Sequence, residues 1–181
     1  GARVDVRLNH GKANEMGTAQ LDEFDQLVAL VSHDTAITSL VTWSDRVSRR
    51  GTPIFVAGAN VTERGGWSED EIKRHVRRQR RVLAELAHAP VFHVAVVSGV
   101  ALGWGTEFLL SSDYRIATSD AVFGLPETGL GILPGAGGTA GLWRHIGLAQ
   151  TLRLGMTGER IQPDEALRIG LRDTGLGHKG V

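Results

Sequence analysis

The sequence predicts a single α/β domain. Short β-branched apolar runs alternate with amphipathic helical stretches, no composition break marks a linker, and 181 residues can bury one sizeable core. Residues 4–8 alternate apolar and polar side chains and predict a strand, followed by a loop over 9–14. Leu21, Phe24, Leu27, Val28 and Val31 recur at helical spacing, which predicts an amphipathic helix over 19–32. Residues 39–44 and 52–57 are apolar runs with β-branched members and predict buried strands. Ser68 with Glu71 three positions on is a capping box. The helix it opens carries Ile72, Val76, Val82, Leu83 and Leu86 on its inner face and ends before Pro90. Residues 91–98 predict another buried strand, 105–112 a short helix and 112–118 a further strand. Residues 124–138 hold several glycines with Pro126 and Pro134 and predict a turn-rich loop. Short helices are expected over 139–145, 149–155 and 164–170, with Pro163 suited to a first turn. The domain is expected to span 1–174, with 175–181 a disordered, glycine-rich tail.

Composition excludes several classes. Twenty basic and 20 acidic side chains cancel, which argues against a nucleic-acid binder driven by bulk positive field. With Cys 0 there is no disulfide framework, thiolate metal site or Cys nucleophile. No apolar run reaches the length of a membrane span, so no membrane partner is expected. Gly1 to Asp5 carry no apolar signal region, so a cytoplasmic location is the expectation.

Familiar motifs are absent or misplaced. There is no G-x-S-x-G elbow and no phosphate-binding G-x-x-x-x-G-K-[ST] loop. Gly135 to Ala140 satisfies G-x-G-x-x-A, but it follows Pro134 in a loop rather than a strand, so it is not read as a dinucleotide site. The histidines lack ligand spacing, no metal is expected, and His93 reads as a hydrogen-bonded core residue. The basic run Lys73, Arg74, His75, Arg77, Arg78, Arg80 and Arg81 reads as a solvated helix face. The sharper alternative is a guide for a polyphosphate ligand.

Two glutamates stand out. Glu107 follows Gly103-Trp104-Gly105-Thr106 in an otherwise apolar helix, and Glu127 lies in Leu125-Pro126-Glu127 after a buried strand. Carboxylates in apolar surroundings are costly unless paired or working. Glycine-rich loops frame them. Phe55 to Asn60 ends a strand with small residues, and Gly103-Trp104-Gly105 opens a helix whose first amides lack partners. Two such N–H groups suit an oxyanion hole for a thioester enolate.

Four motifs carry a resemblance: Phe55-x-Ala57-Gly58-Ala59-Asn60; Gly99 to Glu107; Phe123-Gly124-Leu125-Pro126-Glu127-Thr128-Gly129; and Pro134-Gly135-Ala136-Gly137-Gly138-Thr139. Weaker echoes are Leu8-Asn9 with Ala13-Asn14, Gly158-x-Arg160-Ile161, and Glu165 to Leu171. At these residues the sequence resembles the crotonase superfamily, most closely its enoyl-CoA hydratases, over about residues 8–171. The resemblance implies a spiral of ββα units that binds acyl-CoA thioesters, as a homotrimer or hexamer, with no cofactor beyond the coenzyme A of the substrate. It implies Glu107 and Glu127 as catalytic carboxyls and the amides of Ala59 and Trp104 as oxyanion donors. Ala57, Gly58, Asn60, Gly103, Gly105, Pro126 and Gly135 are its expected substrate-binding residues. The implied reaction adds water across a trans-2-enoyl thioester to give a 3-hydroxyacyl thioester, with paired carboxyls that titrate apart.

Departures from the family pattern are specific. Trp104 stands where the family has a glycine, adding bulk beside the acyl pocket. Asn60 replaces the commoner Asp, Thr62 the commoner Lys, and the sequence stops before most of the usual C-terminal helical segment, as expected of either a fragment or a short variant. Other readings are a double-bond isomerase, a biosynthetic decarboxylase and a non-catalytic acyl-CoA-binding module. An RNA-binding role through 73–81 is a further, weaker one.

Overall fold

The structure, a computed structural model, describes residues 1–176. Its strands are β1 (Ala2–Arg7), β2 (Ile37–Trp43), β3 (Arg46–Val47), β4 (Pro53–Val56), β5 (Phe92–Val97), β6 (Val100–Leu102), β7 (Tyr114–Thr118), β8 (Val122–Gly124), β9 (Arg160–Ile161) and β10 (Thr174–Leu176). The helices are α1 (Thr18–His33), α2 (Glu69–Ala87), α3 (Trp104–Phe108), α4 (Gly138–Gly141), α5 (Trp143–Thr157) and α6 (Pro163–Ile169). One sheet runs β1-β2-β5-β7-β10 and is parallel throughout. The other runs β3-β4-β6-β8-β9, with β4, β6 and β8 parallel between antiparallel edges. The chain passes from β2 to β4 and α2, from β5 to β6 and α3, then from β7 to β8. Each turn lays one strand in each sheet and closes with a helix, which is the expected spiral of ββα units.

The short strands β6 and β8 were not foreseen, because three residues are too few to show an alternation. Residues 91–98 read as one strand that continues into a glycine loop. The chain instead turns at Ser98-Gly99 and enters the second sheet as β6. Gly99 has φ +67°, and a Cβ there would strike the Pro53 carbonyl, so this corner requires glycine. The helix expected over 105–112 is α3 plus a 3-10 turn, Leu109–Ser111. The expected loop 124–138 contains another 3-10 turn, Pro126–Leu130. Helices expected over 139–145 and 149–155 become α4 and a longer α5 that bends at Gly147. Gly175 and Leu176, expected to be tail, pair with Ala117 and Thr118 of β7, because the parallel edge of β7 offers ladder partners. The rest of that expected tail, 177–181, lies outside the described residues. No helix among the described residues is long and apolar enough to cross a membrane.

The capping box forms as read, with the Glu71 amide donating to Ser68 Oγ at 3.3 Å and the Ser68 amide to Glu71 Oε2 at 2.7 Å. The basic run on α2 is partly structural. Arg78 Nε donates to Asp25 at 3.0 Å and Arg81 Nη2 to the same carboxylate at 2.9 Å, which docks α2 against α1. His93 is buried, its ring nitrogens 2.9 Å from the Ser111 carbonyl and 3.0 Å from Thr42 Oγ1.

Phe108 is the hub of the core. Its ring centroid lies 5.3 Å from Trp104, 5.5 Å from Phe24, 5.6 Å from His93 and 5.9 Å from Phe55. It therefore joins α3 to α1 and to both sheets. Phe108→Ala should destabilise the fold by about 3–5 kcal/mol, through lost burial plus an unfilled cavity. The urea midpoint measures this, and a loss below about 1 kcal/mol would contradict the hub role.

Candidate active site

Three adjacent strands deliver the chemistry. β4, β6 and β8 are parallel neighbours, so their C-terminal ends open on one edge. Residues 57–60, 103–107 and 125–127 follow those ends. Ligand sites in parallel sheets form beyond such ends, and here a cleft of about 230 Å³ lies there. Ala57, Gly58 and Ala59 border it from β4, Gly103, Trp104 and Glu107 from β6, and Pro126 and Glu127 from β8. Gly135 closes the far wall. A larger cavity of about 400 Å³ between β1 and α1 is lined by Leu8, Met16 and Phe24 among others, and contains neither carboxyl.

Ala59 is set by a strand-like bridge. The Met16 amide donates to the Gly58 carbonyl at 2.9 Å, and the Asn60 amide donates to the Met16 carbonyl at 2.7 Å. Successive amides in an extended chain point to opposite sides. Ala59 N–H therefore points away from Met16, and it meets no acceptor among the described residues. The loop carrying Met16 is tied down by Asn14. Its side-chain Nδ2 lies within hydrogen-bond distance of the Leu8 carbonyl at 3.1 Å, Ser44 Oγ at 2.9 Å and the Phe55 carbonyl at 2.9 Å, with its two hydrogens shared among them.

Trp104 opens α3. The Gly103 amide donates to the Gly124 carbonyl at 2.8 Å, and the Gly103 carbonyl accepts from the Glu107 amide at 3.0 Å. As the first helical residue, Trp104 has no carbonyl in reach of its N–H among the described residues. Its indole is 1% exposed and packs against Phe24 and Phe108, so the core takes up the ring and the amide stays at the cleft.

The two carboxyls border the same cleft in different surroundings. Glu107 is 3% exposed, and its Oε1 accepts from the Ala136 amide at 2.9 Å and the Gly138 amide at 2.7 Å. Burial raises its pKa, while the amides of Gly138, Ala136 and Gly137 oppose the rise. The supporting loop is itself clamped, since Arg80 donates to the Gly135 carbonyl at 2.9 and 3.2 Å. Burial pushes the Glu127 carboxyl up to about 7, against the pull of its own amide, and the nearby Glu107 charge adds to the rise. Glu127 Oε2 is buried and meets no donor among the described residues.

Two expected substrate-binding residues do not border the cleft. Asn60 Oδ1 accepts from Thr62 Oγ1 at 2.6 Å and the Glu63 amide at 3.3 Å, so it shapes the turn after Ala59. Gly105 is a packing residue, because a Cβ there would overlap the Val56 carbonyl of β4. Arg64 and Gln79 do border the cleft and were not singled out. Nothing in the sequence distinguishes them from the many other polar residues around α2.

Comparison with known proteins places this geometry in context. A family model described as enoyl-CoA hydratase/isomerase matches residues 5–178. The short-chain-enoyl-CoA hydratase of Clostridium acetobutylicum is 38% identical over 169 residues, covering 92% of this chain and 62% of that protein. Enoyl-CoA hydratase domain-containing protein 2, mitochondrial, of Mus musculus is also 38% identical, over 93% of this chain and 55% of that protein. The chain thus spans little more than half the length of these curated relatives. The crystal structure of an enoyl-CoA hydratase from Bacillus anthracis superposes with a TM-score of 0.88 at 34% identity, covering 97% of this chain and 66% of that one.

Proposed function

The chain belongs to the enoyl-CoA hydratase/isomerase family of the crotonase superfamily, and from that premise we propose that its cleft adds water across the double bond of a trans-2-enoyl thioester. One observation carries the reading: a buried carboxyl, a half-buried one and two backbone amides with no acceptor among the described residues border a single cleft. The thioester oxygen accepts from the Ala59 and Trp104 amides. Both donors sit on rigid backbone and await the negative charge that develops as the enolate forms. Burial raises the Glu107 pKa and the loop amides of Gly138, Ala136 and Gly137 oppose the rise; in its ionised form Glu107 takes a proton from water. The water oxygen bonds to C3, and the π pair moves through C2 onto the thioester oxygen. Glu127, its carboxyl pushed up to about 7, is protonated in about half of the molecules at neutral pH, and that form gives its proton to C2 as the enolate collapses. Proton exchange with solvent resets the pair.

Crotonyl-CoA tests this. The conjugated absorbance of the thioester should fall, and product formed in ¹⁸O-labelled water should carry the label at C3. A shifted double bond without label would instead make the site an isomerase, and binding without either product would leave a non-catalytic acyl-CoA module.

A further inference from the structure

We propose that Arg64 makes the cleft selective for short enoyl thioesters whose acyl chain ends in a carboxylate. The proposal rests on the reading of the cleft as an acyl-thioester site and names its substrate class. Arg64 borders the cleft that holds Glu107 and Glu127. Its side chain makes no hydrogen bond or ion pair with any described residue, and its Nε is buried without a partner. Glu63, its neighbour in sequence, offsets part of its charge through space but makes no ion pair with it. The Glu63 carboxylate accepts from the Thr18 amide at 3.0 and 3.1 Å and from the Thr18 hydroxyl. His75 is held neutral by burial and by the Arg64 charge itself, and its ring contacts Gln79 Nε2 at 3.2 Å. Glu15 borders the cleft but is exposed to solvent. Gln79 also borders the cleft, and the rest of this wall is apolar: Val61, Val76, Leu130, Ile132 and Leu133.

Arg64 is half-buried with only Nε shut away from solvent, so a plain hydrocarbon chain laid against it strips water from the guanidinium, whereas a carboxylate of matching geometry replaces that water. At about 230 Å³ the cleft is small for a ligand pocket, so the described walls surround only the first few carbons of an acyl chain. The diphosphate of coenzyme A hangs at the far end of the pantetheine arm, so the acyl terminus is the anion that shares a pocket this size with the reacting carbons.

The test compares two unreactive thioesters by calorimetry on the full-length protein, glutaryl-CoA with a terminal carboxylate and butyryl-CoA without one. The parent should bind glutaryl-CoA about 10–100-fold more tightly, the worth of one charge-assisted hydrogen-bonded pair. Arg64→Gln should erase that preference while leaving butyryl-CoA affinity within about 3-fold, and Arg64→Lys should restore part of it. Equal affinities in the parent overturn the proposal. So does an equal loss for both ligands in Arg64→Gln, which would assign the guanidinium to the coenzyme A phosphates or to packing. Hydration of glutaconyl-CoA and crotonyl-CoA is measured alongside. Failure of the parent to hydrate either one overturns the hydratase reading alone, since the saturated pair reports selectivity without turnover.

Discussion

Glu127→Gln should slow crotonyl-CoA hydration by about 10²–10⁴-fold, the range expected for loss of a positioned general acid. The same variant should resist urea better than its parent at pH 8. Both effects come from one cause. Glu127 lies in a cleft wall where burial and the Glu107 charge lift its pKa from the ordinary 4.5 to about 7. Below pH 4.5 the carboxyl is protonated in folded and unfolded chains alike. Between 4.5 and 7 the unfolded chain releases the proton and the folded chain keeps it, so stability falls as pH rises. Above about 7 the folded chain carries a charge in a poorly solvated place, and the full cost is present. Glutamine has nearly the same shape and cannot ionise, so it escapes this cost. The urea midpoints of variant and parent should coincide near pH 4.5 and separate by pH 8, with the variant higher. Midpoints that stay parallel across that range, or turnover that survives the substitution, would remove Glu127 from the proposed chemistry.

The parts of this site that were legible in the sequence are those where backbone geometry demands a particular residue. Gly58 and Gly103 precede the two candidate donors with φ +103° and +53°, so glycine marks both places where the chain leaves a strand and exposes an amide. Glu107 and Glu127 were legible as charges in apolar company. Their shared cleft depends on β4, β6 and β8 lying side by side, and two of those strands are three residues long. Such segments are placed by tertiary pairing and leave no periodic trace. Asn60 and Gly105 were assigned to substrate because they sit inside the motifs. The fold uses the first to shape a turn and the second to let α3 approach β4. Asn14 and Arg64 illustrate the converse. A polar side chain in a loop looks ordinary until the fold shows that one ties three segments together and the other has no partner among the described residues.

Gly103→Ala should cost about 10²–10³-fold in kcat/KM for crotonyl-CoA with the chain still folded. The residue has φ +53° and ψ −119°, a region that a side chain rarely enters. The space is also taken, since a Cβ at this position would lie 2.5 Å from Glu127 Oε1. Relief requires the carboxyl to swing away, the Gly103-Trp104 peptide to rotate, or both. Rotation turns the Trp104 amide from the thioester oxygen, and one lost oxyanion donor costs about 10²–10³-fold. Displacement of the carboxyl removes the proton donor instead, by a step of about 1 Å that alone can cost about 10²-fold. A single added methyl thus strikes the two halves of the proposed machinery at their point of contact. The strain is local, so circular dichroism should match the parent and the urea midpoint should fall by no more than a few kcal/mol of stability, about 1–3. Affinity for butyryl-CoA separates the two routes. In the proposed site the ground-state carbonyl would also use the Ala59 and Trp104 amides, so a rotated peptide should weaken binding, whereas a displaced Glu127 should leave it nearly unchanged. A folded Gly103→Ala protein with activity within about 3-fold of the parent would mean that neither the Trp104 amide nor Glu127 acts from the place the fold gives it.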